Sequence, residues 1–209
     1  MGQIKNIIFD LGGVIINLDI PKTISEFNKL STQPFDSIYN QLQQTPVFDL
    51  FDKGQITEAD FFAELKKTLP DNITDEKLLF AWNAMLLDFP KHRLELLNKL
   101  KPNYRLFLLS NTNESHVVEF EKILFSSHGH KNLEPFFEKV YYSCRMNMRK
   151  PNTDIFDFVL NENNLIAEET LFIDDSPQHV EGALKLGIKA MLLEKNKEVE
   201  DLLKKIQLI

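Results

Sequence analysis

The chain has 209 residues, 43% of them hydrophobic and 26% charged, which excludes a disordered or fibrous polypeptide. Its length suits one compact α/β domain, or one carrying an insert, and not two large independent domains; 17 phenylalanines are available for a core. The formal net charge of −7 argues against a general binder of nucleic acid or of an anionic membrane, but leaves room for a small anion held by locally concentrated positive charge.

The start, MGQIKNIIFD, lacks the basic region and long apolar stretch of a secretory signal, and Asn6 stands where a myristoylation site needs Ser or Thr. The single cysteine, Cys144, can make neither an internal disulfide nor a multi-cysteine zinc site. The longest apolar runs, such as LFLL at 106–109, are too short to cross a bilayer. A soluble cytoplasmic protein is expected.

In chain order, the first predicted strand is Ile4–Phe9, followed by Asp10, Leu11, Gly12 and Gly13. Residues 17–89 then carry no strand pattern. TISEFNKL, QLQQ, TEADFFAELKKTL and TDEKLLFAWNAML have helical spacing instead, with Thr57 and Thr74 as helix starts. A helical subdomain inserted after the first strand is the expectation. The helix predicted over 90–101 has Pro90 in its first turn. Strand Arg105–Leu109 ends in Ser110, Asn111 and Thr112, and SSHGHKN at 126–132 reads as a solvated surface loop. Strand Val140–Ser143 precedes Arg149, Lys150 and Pro151, and the helix over 152–163 buries Ile155, Phe156, Val159 and Leu160 with Thr153 as its cap. Strand Thr170–Ile173 runs into Asp174, Asp175 and Ser176. A helix over 176–187 closes on Gly187, and Ile188–Leu193 is the last strand. The strand runs are nearly continuously apolar, as in a sheet covered on both faces, and their alternation with helices predicts an α/β doubly wound parallel sheet, Rossmann-like, with an inserted α-helical unit.

Ligands of such sheets gather at the carboxyl ends of the strands. Taken singly, the polar residues there have ordinary explanations: an Asp after a strand is usually a turn former, Ser-Asn-Thr is turn chemistry, Lys-Pro starts helices, and Gly12-Gly13 permits a tight turn. The Asp174–Asp175 pair is harder to explain, because adjacent carboxylates repel unless a cation or base lies between them.

Taken together, FDLGGV, LLSNTN, RKP and FIDDSPQHVEGA, in this order and each at the end of its element, resemble the haloacid dehalogenase-like hydrolase superfamily over essentially the whole chain. DKGQITEADFFAEL, LLSNTN and MRKP are similar to its bacterial α-glucose-1-phosphate phosphatase branch. The resemblance implies a catalytic core at 1–16 and 90–209 and a small helical cap at 17–89. It implies a Mg²⁺-dependent phosphatase of small phosphorylated metabolites, with sugar phosphates, an anomeric phosphate included, as the candidate substrates, working through an aspartyl-phosphate. Asp10 is then the nucleophile. Mg²⁺ is held by Asp10, the Gly12 carbonyl and Asp175, with Asp174 binding directly or through water. Lys150 serves as catalytic and phosphate-binding cation, and Ser110 and Asn111 bind the phosphate through hydroxyl and backbone N–H groups. Arg149 is expected to point elsewhere.

One departure matters. Most phosphatases of the superfamily carry a second Asp two residues after the nucleophile as general acid, and here that position is Gly12. Such help is worth about 10²–10⁴ in rate, so good leaving groups are favoured and a phosphoglucomutase disfavoured. The branch shares this glycine. Asp19 is a conceivable substitute, with a cap-hinge or helix-start role preferred. Trp82, Asn83 and the Lys53–Gly54 loop are candidates to face the site, although Trp82 reads better as cap core with Leu78, Leu79, Met85 and Leu86. His128 and His130 read as loop residues, and His179 as a structural residue of a helix first turn, with orientation of Asp175 as the alternative. Two other readings stay open: a 2-haloacid dehalogenase using the same Asp10, and a non-catalytic phosphate-binding or regulatory protein. So does the choice between monomer and homodimer.

Overall fold

A computed structural model describes residues 3–31, 34–35 and 46–209; the QLQQ segment at 41–44 lies outside them. Five strands, β1 (Asn6–Phe9), β2 (Arg105–Ser110), β3 (Lys139–Tyr142), β4 (Thr170–Asp174) and β5 (Lys189–Leu192), form one parallel sheet in the order β3-β2-β1-β4-β5. The chain starts at the centre, winds one way through β2 and β3, then crosses to β4 and β5. The order reverses between β1 and β4, which is where an open α/β sheet makes a crevice for ligand.

The apolar runs sort by alternation. Ile7 and Phe9 join one buried cluster with Leu106, Leu108, Leu171 and Ile173. Ile8, Phe107, Leu109 and Phe172 join another on the opposite face. Both faces are covered by crossover helices, so the central strands need apolar residues at every position. The edges differ from the expectation: Lys139 of β3 is exposed, and β5 is half-buried throughout, with Leu192 exposed. An edge strand has solvent rather than another strand on one side. Ser143, expected as the last residue of its strand, instead opens a 3₁₀ turn, Ser143–Arg145.

The crossover helices are Lys91–Leu100, Glu114–His128, Thr153–Glu162 and Pro177–Leu184. Pro90 sits at the N-cap and not in the first turn, and Thr153 is the first helical residue, with Asn152 in the cap position. Pro177 does occupy the first turn of its helix. The helix Glu114–His128 overruns the loop expected at 126–132 and ends at Gly129, whose φ of +76° favours glycine. His128 Nε2 donates to the Phe89 carbonyl at 2.7 Å, and His130 stands edge-on to the Phe136 ring.

The inserted segment supplies helices Ile20–Leu30, Val47–Asp52, Glu58–Lys66 and Asp75–Asn83. Asp19 caps the first, accepting the Lys22 N–H through its carboxylate, the helix-start role preferred for it. Thr57 makes a capping box: its hydroxyl accepts the Asp60 N–H at 3.1 Å and the Asp60 carboxylate accepts the Thr57 N–H at 3.0 Å. Thr74 occupies a cap position without a side-chain bond. These helices bury their own apolar cluster, built on Phe27, Phe51, Phe61, Phe62, Leu65 and Trp82. The chain passes into and out of the segment along one short antiparallel contact. Asn17 N–H donates to the Asp88 carbonyl, Leu87 N–H to Asn17 and Asp19 N–H to Met85. Among the described residues no helix is long and apolar enough to cross a membrane.

Candidate active site

The strand register brings the polar residues together. Phe9 of β1 pairs with Ile173 of β4, so the next residues, Asp10 and Asp174, emerge side by side at the switch point. Lys150 reaches them from the segment that follows β3. It is fully buried, and its ammonium donates to Asp10 Oδ1 at 2.8 Å, Asp174 Oδ2 at 2.6 Å and the Leu109 carbonyl at 2.8 Å. All three of its protons are used. Burial alone would lower the Lys150 pKa, but the two carboxylates outweigh it and hold the ammonium above its ordinary value.

Asp174 is fully buried. Burial would raise its carboxyl, yet the Lys150 charge and the hydrogen bond from His179 hold it down at about 2. Its oxygens also accept the Ser176 N–H at 2.8 Å, while His179 Nδ1 lies 3.0 Å from each of them. His179 therefore orients Asp174, and not Asp175, the partner considered for it from the sequence. Asp10 is the opposite case: burial, together with the Asp174 charge, pushes it up to about 7 against the opposing pull of Lys150. Burial and Asp174 also raise Asp175. Three carboxylates around one ammonium leave the site short of positive charge. Carboxylate oxygens of Asp10, Asp174 and Asp175 lie within 4.8 Å of one another, the one such cluster among the described residues. That hard oxygen donor set fits a divalent cation, and Asp175, exposed toward the cavity, is less encumbered than Asp174.

The glycines after β1 have separate reasons. Gly13 has φ +68°, and a Cβ there would stand 2.4 Å from Asp175 Oδ2. It admits both the turn and the close approach of that carboxylate. A Cβ on Gly12 would stand 2.7 Å from Leu18 Cδ1; the place beside Asp10 where a second acid would begin is filled by a leucine side chain.

Ser110 ends β2 and lines the cavity. The Asn111 side chain has a task that the sequence did not indicate. Its Nδ2 donates to the Lys150 carbonyl at 2.8 Å and its Oδ1 accepts the Lys150 N–H at 2.9 Å, clamping that backbone at both ends. Of the N–H groups after Ser110, that of Thr112 is already spent on Ser143 Oγ at 2.9 Å.

Above these residues the inserted segment closes a cavity of about 600 Å³, whose lining includes Asp10, Ser110 and Asp175 below and Phe48, Asp49, Asp52, Trp82 and Met85 from the insert. The seam is well bonded. Asn113 Oδ1 accepts from His116 N at 3.0 Å and from Trp82 Nε1 at 3.4 Å, and the Trp82 and His116 rings stack 5.0 Å apart. His116 lies 3.3 Å from the Trp82 carbonyl through Nε2 and 3.4 Å from Asn113 Nδ2 through Nδ1. A neutral ring with its proton on Nε2 satisfies both, and burial lowers its pKa to about 4. Ser143 Oγ donates to the Asp52 carbonyl at 2.6 Å, and Ser115 hydrogen-bonds Glu58. Trp82 is thus insert core and cavity wall at once. Asn83, Lys53 and Gly54 do not line the cavity: Gly54 packs on the Cys144 carbonyl and Lys53 pairs with Asp49. Arg149 turns away from Lys150 to Asp49 and Asp52 of the insert. Asp49, Asp52, Asn113 and His116 carried no functional signal in the sequence.

The chain is similar to known proteins over nearly its whole length. The chain is 32% identical over 187 residues to a D-ribitol-5-phosphate phosphatase of Bacteroides thetaiotaomicron, covering 90% of each. It is similar to the crystal structure of a haloacid dehalogenase-family enzyme of the same organism in complex with magnesium and inorganic phosphate, at 36% identity and a TM-score of 0.86, over 95% of this chain and 98% of that one. It also resembles a predicted haloacid dehalogenase-like hydrolase of Porphyromonas gingivalis, at 31% identity and a TM-score of 0.87, over 99% and 98% of the two chains. The profile described as Haloacid dehalogenase-like hydrolase matches residues 7–193, and the chain belongs to that family.

Proposed function

We propose that the protein is a Mg²⁺-dependent phosphatase of small phosphorylated metabolites, sugar phosphates foremost, with Asp10 as nucleophile. The observation that carries this reading is the fully bonded Lys150 between Asp10 and Asp174, beside an acidic cluster that one ammonium cannot neutralise. The relatives support it: one is a sugar-alcohol phosphate phosphatase, and another was solved with magnesium and phosphate. Residues 1–16 and 90–209 form the catalytic core in this reading, and 17–89 the cap that excludes water and selects substrate.

Lys150 occupies Asp10 Oδ1 and leaves Oδ2 to attack phosphorus. The bond from phosphorus to the ester oxygen breaks, and the phosphoryl group rests on Asp10. Water then attacks phosphorus, the bond from phosphorus to the Asp10 oxygen breaks, and phosphate and the free carboxylate are released, the proton lost by that water balancing the one the leaving oxygen takes from solvent. Ser110 donates its hydroxyl to a phosphoryl oxygen, the backbone N–H of Asn111 donates another hydrogen bond, and the Asn111 side chain keeps Lys150 in place. Magnesium, held by Asp10, the Gly12 carbonyl and Asp175 with Asp174 alongside, supplies the positive charge that lets an anion approach a phosphate dianion. The same charge restores the ionised Asp10 that burial disfavours. With Gly12 and Leu18 where a second acid would lie, the leaving oxygen receives no proton from that side, which favours esters of low leaving-group basicity such as an anomeric phosphate.

The test is hydrolysis of p-nitrophenyl phosphate and a sugar-phosphate panel, including both anomers of glucose 1-phosphate, with Mg²⁺ and with EDTA. Turnover that EDTA abolishes and Mg²⁺ restores is expected. No turnover on any ester would favour a phosphate-binding protein, and halide release from 2-haloacids in EDTA would favour a dehalogenase.

A further inference from the structure

Of the Lys and Arg residues described, Arg149 alone lines the cavity, because Lys150 lies buried beneath Asp10. Its guanidinium is committed: Nη1 is 3.2 Å from Asp49 Oδ1 and Nη2 is 3.5 Å from Asp52 Oδ2. Asp49 has a second cation in Lys53 at 2.7 Å. The two histidines of the lining are equally engaged, His116 with Trp82 and Asn113 and His179 with Asp174. Once a substrate's phosphoryl group sits at Asp10 and Lys150, the rest of that substrate meets carboxylates whose cations are already paired, and no free positive charge. A second phosphate or a carboxylate there would face Asp49 and Asp52 and find no uncommitted cation among the lining residues to offset its charge.

Hydroxyl groups meet a different wall. Asp49 and Asp52 line the cavity and offer acceptor oxygens to a hydroxyl donor. We infer that Asp49, Asp52 and Arg149 determine specificity, admitting phosphate monoesters whose remaining portion is uncharged and hydroxylated and rejecting bisphosphates and phosphorylated acids. This rests on the phosphatase reading and narrows it. Arg149 acts by fixing the two carboxylates at the seam between insert and core, while the carboxylates themselves meet the substrate.

The experiment compares kcat/KM for matched esters on the wild-type protein with Mg²⁺. A hexose 6-phosphate is set against the corresponding phosphoaldonate, an alditol monophosphate against its bisphosphate, and both against hexyl phosphate. The uncharged hydroxylated member of each pair is expected to win by roughly 30-fold or more, equivalent to about 2 kcal/mol. Asp52→Asn and, separately, Asp49→Asn should cut that ratio by about tenfold. Equal kcat/KM for the anionic partners, or preference for hexyl phosphate, would overturn the inference. Because the wild-type comparison needs no variant, a misfolded variant does not decide the matter. If p-nitrophenyl phosphate is hydrolysed and the pairs are not distinguished, the selectivity falls alone; if no ester is hydrolysed, the phosphatase reading falls with it.

Discussion

Replacing Lys150 by Met removes a buried ammonium while nearly keeping the side-chain volume, and its cost follows from the three bonds it leaves open. Asp10 Oδ1, Asp174 Oδ2 and the Leu109 carbonyl all lose their donor at once, in a place that admits almost no water at Lys150 or Asp174. Removing one partner of a buried charge pair costs about 3–5 kcal/mol, because the surviving charge stays buried. In a chain of this size each kcal/mol moves the midpoint by about 2–4 °C, so Tm should fall by roughly 6–20 °C. Calorimetry or circular dichroism melts at pH 7.5 without added metal measure it. The double variant Lys150→Met/Asp174→Asn, which leaves one stranded carboxylate rather than two, should recover part of the loss. A single variant that melts within about 2 °C of wild type would refute the reasoning, as would a double variant less stable than the single one.

His116 links stability to pH. Its folded pKa of about 4 lies below the ordinary value of 6.5, so the unfolded chain binds the proton first. Its contribution to stability is then full above about pH 6.5 and is lost as pH falls toward 4, by about 3 kcal/mol in all. The raised carboxyls of Asp10 and Asp52 act with the opposite sign, so the readout is the difference between wild type and His116→Leu. The urea midpoint of wild type relative to the variant should fall between pH 7 and pH 5, and a difference that does not change with pH would count against the buried neutral ring. Gly13→Ala forces a Cβ against Asp175 at a positive φ, so Mg²⁺ titration by calorimetry should show affinity down about 10–100-fold. Unaltered binding would exclude Asp175 as a ligand. Asp175→Ala should raise the Mg²⁺ concentration needed for half-maximal hydrolysis, and an unchanged activation curve would argue the same way.

What the sequence made legible was local, and what it hid was long-range. Five apolar runs disclosed the sheet, and the three that end in Asp10, Ser110 and Asp174 disclosed the floor of the site, because a parallel sheet puts successive strand ends on one edge. The adjacency of Asp10 and Asp174 followed from the metal that the resemblance assigns to both, and the structure supplies its cause in the pairing of β1 with β4. Edge exposure at Lys139 and Leu192 escaped notice because an apolar run does not reveal which strand lies outermost. Residues 126–128 looked like a loop from their Ser and His content, yet the helix cap is set by Gly129. The wall of Asp49, Asp52 and Arg149 spans about a hundred positions of chain, and no periodicity announces such a contact. Asn111 was read through its backbone N–H alone, while its side chain is the clamp on Lys150.

The central claim is that Asp10 takes the phosphoryl group. It is tested most directly by mixing enzyme and excess substrate with Mg²⁺, quenching in acid within the first turnovers, and mapping the peptides by mass spectrometry. The account predicts a peptide containing Asp10 heavier by one phosphoryl group, labile to alkali and absent from Asp10→Asn, which should also show no turnover while melting as a folded protein. Phosphoryl transfer to another residue, or wild-type turnover in Asp10→Asn, would contradict it.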